Sequence, residues 1–168
     1  MKKHWMASLL VLLSCCFVIA CKKGDGWDEY KYKDAGFGIS APSLPIPRPT
    51  SPDEPNTKAY GLKYPNRSEI LFSMGPLDMY ENLSDKEKLQ KLKDLTVQGT
   101  SSKLISEKEI ALDGNPGIEM EIESNHSHSR QRFYLVNGKI LSIQSSAPLD
   151  QPFVADTNRI FDSLHLLK

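Results

Sequence analysis

The sequence predicts an α+β domain, a central antiparallel β-sheet flanked by two or more helices, and three observations carry that reading. Strand-like alternation fills the second half of the chain, from Ile105 to Ser145. A capping-box signature opens an amphipathic stretch at Ser84, and apolar residues at helical spacing return after Pro148. The order is therefore strands, helix, strands, helix, which suits helices packed on an antiparallel sheet rather than the alternating units of a parallel one.

The first twenty residues stand apart. Lys2 and Lys3 precede an apolar run from Trp5 to Ala20, and the chain turns sharply polar at Lys22 and Lys23, which is the order of a secretory signal. The apolar run falls short of the ~20 residues of a membrane-spanning helix. Val18-Ile19-Ala20-Cys21 resembles the bacterial lipobox, in which a branched residue and a small residue precede a cysteine that becomes lipidated. Residues 1–20 are expected to be a lipoprotein signal peptide cut before Cys21. Leu12-Leu13-Ser14-Cys15 is a competing site, but its use would leave the apolar run Cys16 to Ala20 on the mature end.

The resemblance implies acylation of Cys21. One acyl chain binds a membrane marginally and two or more bind it stably, so the protein is expected to be lipid-anchored in a bacterial cell envelope, with its domain in the periplasm or at the cell surface. Lys22, in place of an aspartate after the cysteine, favours the outer membrane over the inner. The three cysteines are Cys15, Cys16 and Cys21, so cleavage and lipidation leave no free thiol. The fold must then rest on its hydrophobic core, without disulfides, thiolate metal sites or a cysteine nucleophile.

Residues 21–28 read as the lipidated cysteine and a flexible tether, since Gly24 and Gly26 sit among polar residues. Residues 29–168 suit a single domain. Lysine plus arginine equals aspartate plus glutamate at 21 each, and loss of Lys2 and Lys3 leaves the mature part slightly acidic, which argues against a nucleic-acid partner.

Along the domain, alternation at Tyr30 to Tyr32 and at Phe37 and Ile39, separated by Gly36, predicts a first hairpin or bent strand. Six prolines between Pro42 and Pro55 remove ladder donors and predict an extended loop. A short strand is expected at Lys58 to Tyr64, and a stronger one at Glu69 to Met74, where Ile70, Phe72 and Met74 share a face. Ser84 and Glu87 then cap a helix whose inner face is Leu89, Leu92 and Thr96 and whose stop is Gly99; its lysines are read as a solvated face.

Ile105 to Leu112 predicts a strand, and Asp113-Gly114-Asn115-Pro116-Gly117 a turn. Ile118, Met120 and Ile122 alternate with Glu119, Glu121 and Glu123, predicting one buried face and one acidic, wet face. A polar turn at Asn125 to Ser129 leads to a strand from Gln131 to Val136, and Asn137-Gly138 predicts a two-residue hairpin into Lys139 to Ser145. Phe153, Thr157, Ile160, Phe161 and Leu164 predict a final helix, followed by a short tail strand.

Four segments, Gly36-Phe37-Gly38-Ile39-Ser40-Ala41-Pro42, Gly114-Asn115-Pro116-Gly117-Ile118-Glu119, Arg132-Phe133-Tyr134-Leu135-Val136-Asn137-Gly138-Lys139-Ile140 and Phe161-Asp162-Ser163-Leu164, resemble in order and spacing the small exported domains of the PsbP-like fold. Many bacterial lipoproteins and the LpqN and DcrB proteins are of this kind. Leu141 stands where the pattern favours an aromatic residue and Leu164 where it favours phenylalanine. The resemblance implies a sheet flanked by helices in proteins that assist, bind or scaffold, and it implies no catalytic residues; no cofactor is expected.

The expected function is accordingly a non-catalytic binding or accessory module, tied to the membrane through lipid on Cys21 and holding a protein or small-ligand partner. One alternative is an envelope enzyme or metal-binding protein using His126 and His128, which are spaced by one residue in Asn125-His126-Ser127-His128-Ser129. A zinc site needs three or four protein ligands, so Glu121, Glu123 or His165 would have to complete it. Another is a carrier of a small apolar ligand. No G-x-S-x-G motif and no phosphate-cradling glycine loop is present.

Overall fold

The structure, a computed structural model, describes residues 25–50, 52, 56–77 and 82–168; the signal-like segment and Cys21 lie outside these. Among the described residues the strands are β1 (Asp28–Tyr32), β2 (Phe37–Ala41), β3 (Ile46–Pro47), β4 (Lys58–Lys63), β5 (Glu69–Pro76), β6 (Lys103–Leu112), β7 (Asn115–Glu123), β8 (Ser127–Val136), β9 (Lys139–Pro148) and β10 (His165–Leu166), with helices α1 (Asp85–Gly99) between β5 and β6 and α2 (Thr157–Ser163) before β10. They form a seven-stranded antiparallel sheet of order β3-β4-β5-β9-β8-β7-β6 and a small sheet of order β1-β2-β10. The fold is α+β, with antiparallel sheets and two helices.

Directly paired residues of antiparallel strands share a face, so the register assigns the layers. Ile70, Phe72, Met74, Tyr134, Val136, Leu141 and Ile143 lie on one face of the large sheet. They form the main core with Phe37 and Ile39 of β2 and with Ile160 and Phe161 of α2. Leu141 and Leu164, the two departures from the PsbP-like pattern, are both buried in it. On the opposite face α1 lies over β7 and β8, where Leu89 and Leu92 pack toward Leu77 and Leu135.

Two hairpins turn in two residues. Asp113 and Gly114 have φ of 50° and 82°, and Asn137 and Gly138 have φ of 49° and 73°, positive values that match the twist of the flanking strands. The expected turn from Asp113 to Gly117 is therefore shorter than its composition suggests: Asn115 already pairs with Leu112, and β7 starts there. Within the proline-rich segment, expected as loop throughout, Ile46 and Pro47 pair with Gly61 and Tyr60 at the sheet edge. That is where a missing donor costs least.

The final helix is also shorter than its spacing predicts, because Phe153 falls outside α2 and stacks instead on His128. The register of β6 slips between Leu104 and Ser106. This bulge takes Ile105 out of the alternation and leaves it exposed.

The antiparallel connections gather at two ends. One end carries the Asp113–Gly114 turn beside the turn before β2, where Leu166 N–H donates to Asp113 Oδ2 and Leu167 N–H to the Gly36 carbonyl. At the other end Leu149 N–H donates to the His126 carbonyl, and the turn at Pro65, Asn66 and Arg67 lies beside Pro148, Asp150 and Gln151.

Candidate functional site

The most heavily charged cluster lies between the large sheet and α2. Glu119 on β7 is paired with Arg132 on β8, and Arg130 lies two residues along the same strand face. Arg130 Nη2 donates to both carboxylate oxygens at 2.9 Å, Arg132 Nε donates to Oε2 at 2.5 Å, and Lys108 Nζ on β6 sits 3.0 Å from Oε1. The helix completes the set: Arg132 Nη1 donates to Asp162 at 3.0 Å, Arg130 Nη1 to Asn158 at 2.6 Å, and both guanidinium groups lie over the Phe161 ring.

Glu119 is only 6% exposed, which corrects the expectation of a wet face for all three glutamates. Alternation correctly separates Glu119 from Ile118 and Met120, but the face it assigns to water is the one that α2 covers. Burial pushes the Glu119 carboxyl up, and hydrogen bonds from Arg132, Lys108 and Arg130 more than offset it, holding the pKa at about 2. The sequence signal was present in the Arg-x-Arg of β8 opposite the glutamate. Its register with β7 was not legible from one strand alone.

Such an arrangement does not donate or accept protons near neutral pH. A carboxylate held ionised by three cations, two of which reach on to α2 through Asn158 and Asp162, pins sheet to helix.

The histidine turn takes a different form from a metal site. His128 Nε2 is 2.8 Å from the Gln151 carbonyl oxygen, and its ring stacks on Phe153 with centroids 4.2 Å apart. His126 is exposed in the turn before β8. Glu123 pairs with His128 across the strands, and Glu121 with Arg130. His165 lies beside Gly38 and Glu29 in the small sheet. Among the described residues no group of three or more His, Cys, Asp or Glu is placed to hold a metal ion.

A groove of about 520 Å³ runs between α1 and the β6–β7 hairpin. Leu89, Pro116 and Ile118 supply its apolar lining, while Lys86 and the Lys93–Glu107 ion pair, at 2.6 Å, supply its polar rim. Its size is that of a small-ligand site. The groove exists because α1 is lightly seated: none of its residues is fully buried. The lysines read as a solvated face divide, since Lys93 reaches β6 while Lys86 borders the groove.

The first described residues, Asp25 to Trp27, are held against α2, away from the Asp113–Gly114 turn. Arg159 of α2 pairs with Asp25 and stacks over the Trp27 ring at 3.9 Å from its centroid, and Trp27 N–H donates to Asp25 Oδ1 at 3.2 Å. Trp27 also packs against the main core. Cys21, the expected lipidation site, lies outside the described residues. No described helix is long and apolar enough to cross a membrane.

No family model matches the chain, and the curated proteins yield no match. Among solved structures, the chain is similar to the solution structure of cyanobacterial PsbP (CyanoP) from Synechocystis sp. PCC 6803, with 14% identity over 86% of this chain and 95% of that one and a TM-score of 0.59. A crystal structure of a protein of unknown function from Pseudomonas aeruginosa, described as a putative regulator, matches at 14% identity over 72% of this chain and 82% of that one, with a TM-score of 0.44. The first likeness spans nearly all of both chains and follows the same architecture. The fold of this protein is PsbP-like.

Proposed function

We propose that this protein is a non-catalytic, lipid-anchored accessory module of a bacterial cell envelope, holding a partner protein or a small ligand close to a membrane. The observation that carries the reading is the run Val18-Ile19-Ala20-Cys21 placed directly ahead of a PsbP-like domain. Support comes from the chemistry of the conspicuous polar groups. Glu119 is tied up by three cations and His128 by Phe153 and Gln151, which suits binding better than proton transfer. The α1–β6–β7 groove offers a place for a small ligand or a partner's side chains.

The test is expression of the full chain with Cys21→Ser. The native protein should be processed, acylated and recovered with membranes, whereas the variant should accumulate as unprocessed or mislocalised precursor. Normal maturation and membrane retention of the variant would overturn the reading.

A further inference from the structure

The structure gives the two ends of the sheets unequal roles, on the reading that Cys21 carries lipid. Only residues 22–24 separate Cys21 from Asp25, which Arg159 and Trp27 fasten to the domain. Four Cα steps at ~3.5 Å allow a reach of about 14 Å between the lipidated residue and the domain. Were the chain free up to the start of β1 at Asp28, seven steps would allow about 25 Å. The clamp therefore removes close to half of the slack.

The place of the clamp sets what lies near the bilayer. Asp28 pairs with Ala41, and Ser40 N–H donates to Ser163 Oγ, so the first strand enters beside α2. The 152–156 segment that leads into that helix lies beside Tyr64, Pro65 and Asn66. The turn at Pro65 to Arg67, the turn holding His126 and the loop from Leu149 to Asp156 thus share the tethered end. Strands of ten residues, such as β8 and β9, are about 33 Å long. The Asp113–Gly114 and Asn137–Gly138 turns at their far end therefore stand beyond the reach of the leash.

The chemistry of the tethered end fits a headgroup layer. Leu149 is 47% exposed there, and Arg67 and Arg159 present guanidinium groups, with Trp27 beside the latter. Asp150 and Asp156 front the same end and Asp25 pairs with Arg159, so attraction to anionic lipid is weak and the lipid anchor holds the surface in place. We propose that this end is a membrane-facing surface, seated on the lipid headgroups by the Asp25–Arg159–Trp27 clamp, and that the end bearing the Asp113–Gly114 and Asn137–Gly138 turns points away from the bilayer.

The test uses the full, lipidated chain reconstituted into phosphatidylethanolamine–phosphatidylglycerol vesicles. Cys21 is consumed by lipid, so Leu149→Cys and Lys139→Cys each provide a single labelling site for a fluorophore, one at each end. The Leu149→Cys label should lose about threefold of its accessibility to an aqueous quencher on reconstitution, as expected at an interface, and the Lys139→Cys label should lose none. Adding Arg159→Ala should restore access at Leu149→Cys while flotation with vesicles stays unchanged.

Equal accessibility of the two labels, or equal shielding of both, overturns the orientation while leaving lipidation intact. Persistent shielding in Arg159→Ala overturns the role of the clamp. An intact mass without acyl groups, together with failure to float, overturns the lipidation reading itself and the orientation with it.

Discussion

Glu119 shows how much a single residue depends on what covers it. Its carboxylate is buried against Arg130 and Arg132 and touched by Lys108, and removing one member of such a set leaves uncompensated charge in a poorly solvated place. Glu119→Ala is expected to cost about 3 kcal/mol in urea unfolding. The pH dependence has a definite sign. The folded pKa, about 2, lies below the ordinary value near 4.5, so the stabilisation is complete above pH 4.5 and fades as pH falls toward 2. Glu119→Gln should flatten the stability curve between pH 5 and pH 2, and an unchanged slope would show that other carboxylates carry it.

At the scale of elements, α1 and the strands beneath it differ in how firmly they are held. The helix begins in a reciprocal box: Ser84 Oγ accepts the Glu87 N–H at 3.4 Å, and Glu87 Oε2 accepts the Ser84 N–H at 2.8 Å. Sequence alone identified that box, because both partners lie within one turn of each other. It did not reveal that the helix would bury no residue fully. With little apolar burial to secure it, α1 should open below the global unfolding free energy. Hydrogen exchange should therefore be faster in α1 than in β5, β8 and β9, and Ser84→Ala, expected to cost about 1 kcal/mol, should speed exchange in α1 while leaving those strands unchanged.

For the whole molecule, the small sheet joins the two ends of the described chain. β10 pairs with β2, Leu166 packs on the main core, and Leu166 and Leu167 donate backbone hydrogen bonds to Asp113 and Gly36. These contacts close a long stretch of chain and cannot form until most of it is in place. Removing residues 165–168 should lower stability by about 2 kcal/mol, the sum of one partly buried leucine and its hydrogen bonds. Thermal unfolding of the truncated and full domains measures this, and equal midpoints would mean that β2 is held by β1 and α2 alone.

What the sequence by itself determined was local: the Ser84–Glu87 cap, the Asn137–Gly138 hairpin, the alternation of β7, and the lipobox-like run ending at Cys21. Each depends on residues a few positions apart, so period and turn chemistry suffice to read it. The tertiary structure decided which face of β7 meets α2, that Glu119 belongs with Arg130 and Arg132, that Phe153 leaves the helical pattern to stack on His128, and that Arg159 fastens Asp25 and Trp27. Those outcomes join residues up to 134 positions apart. A strand's two-residue period separates its faces but does not say which of them another element will cover.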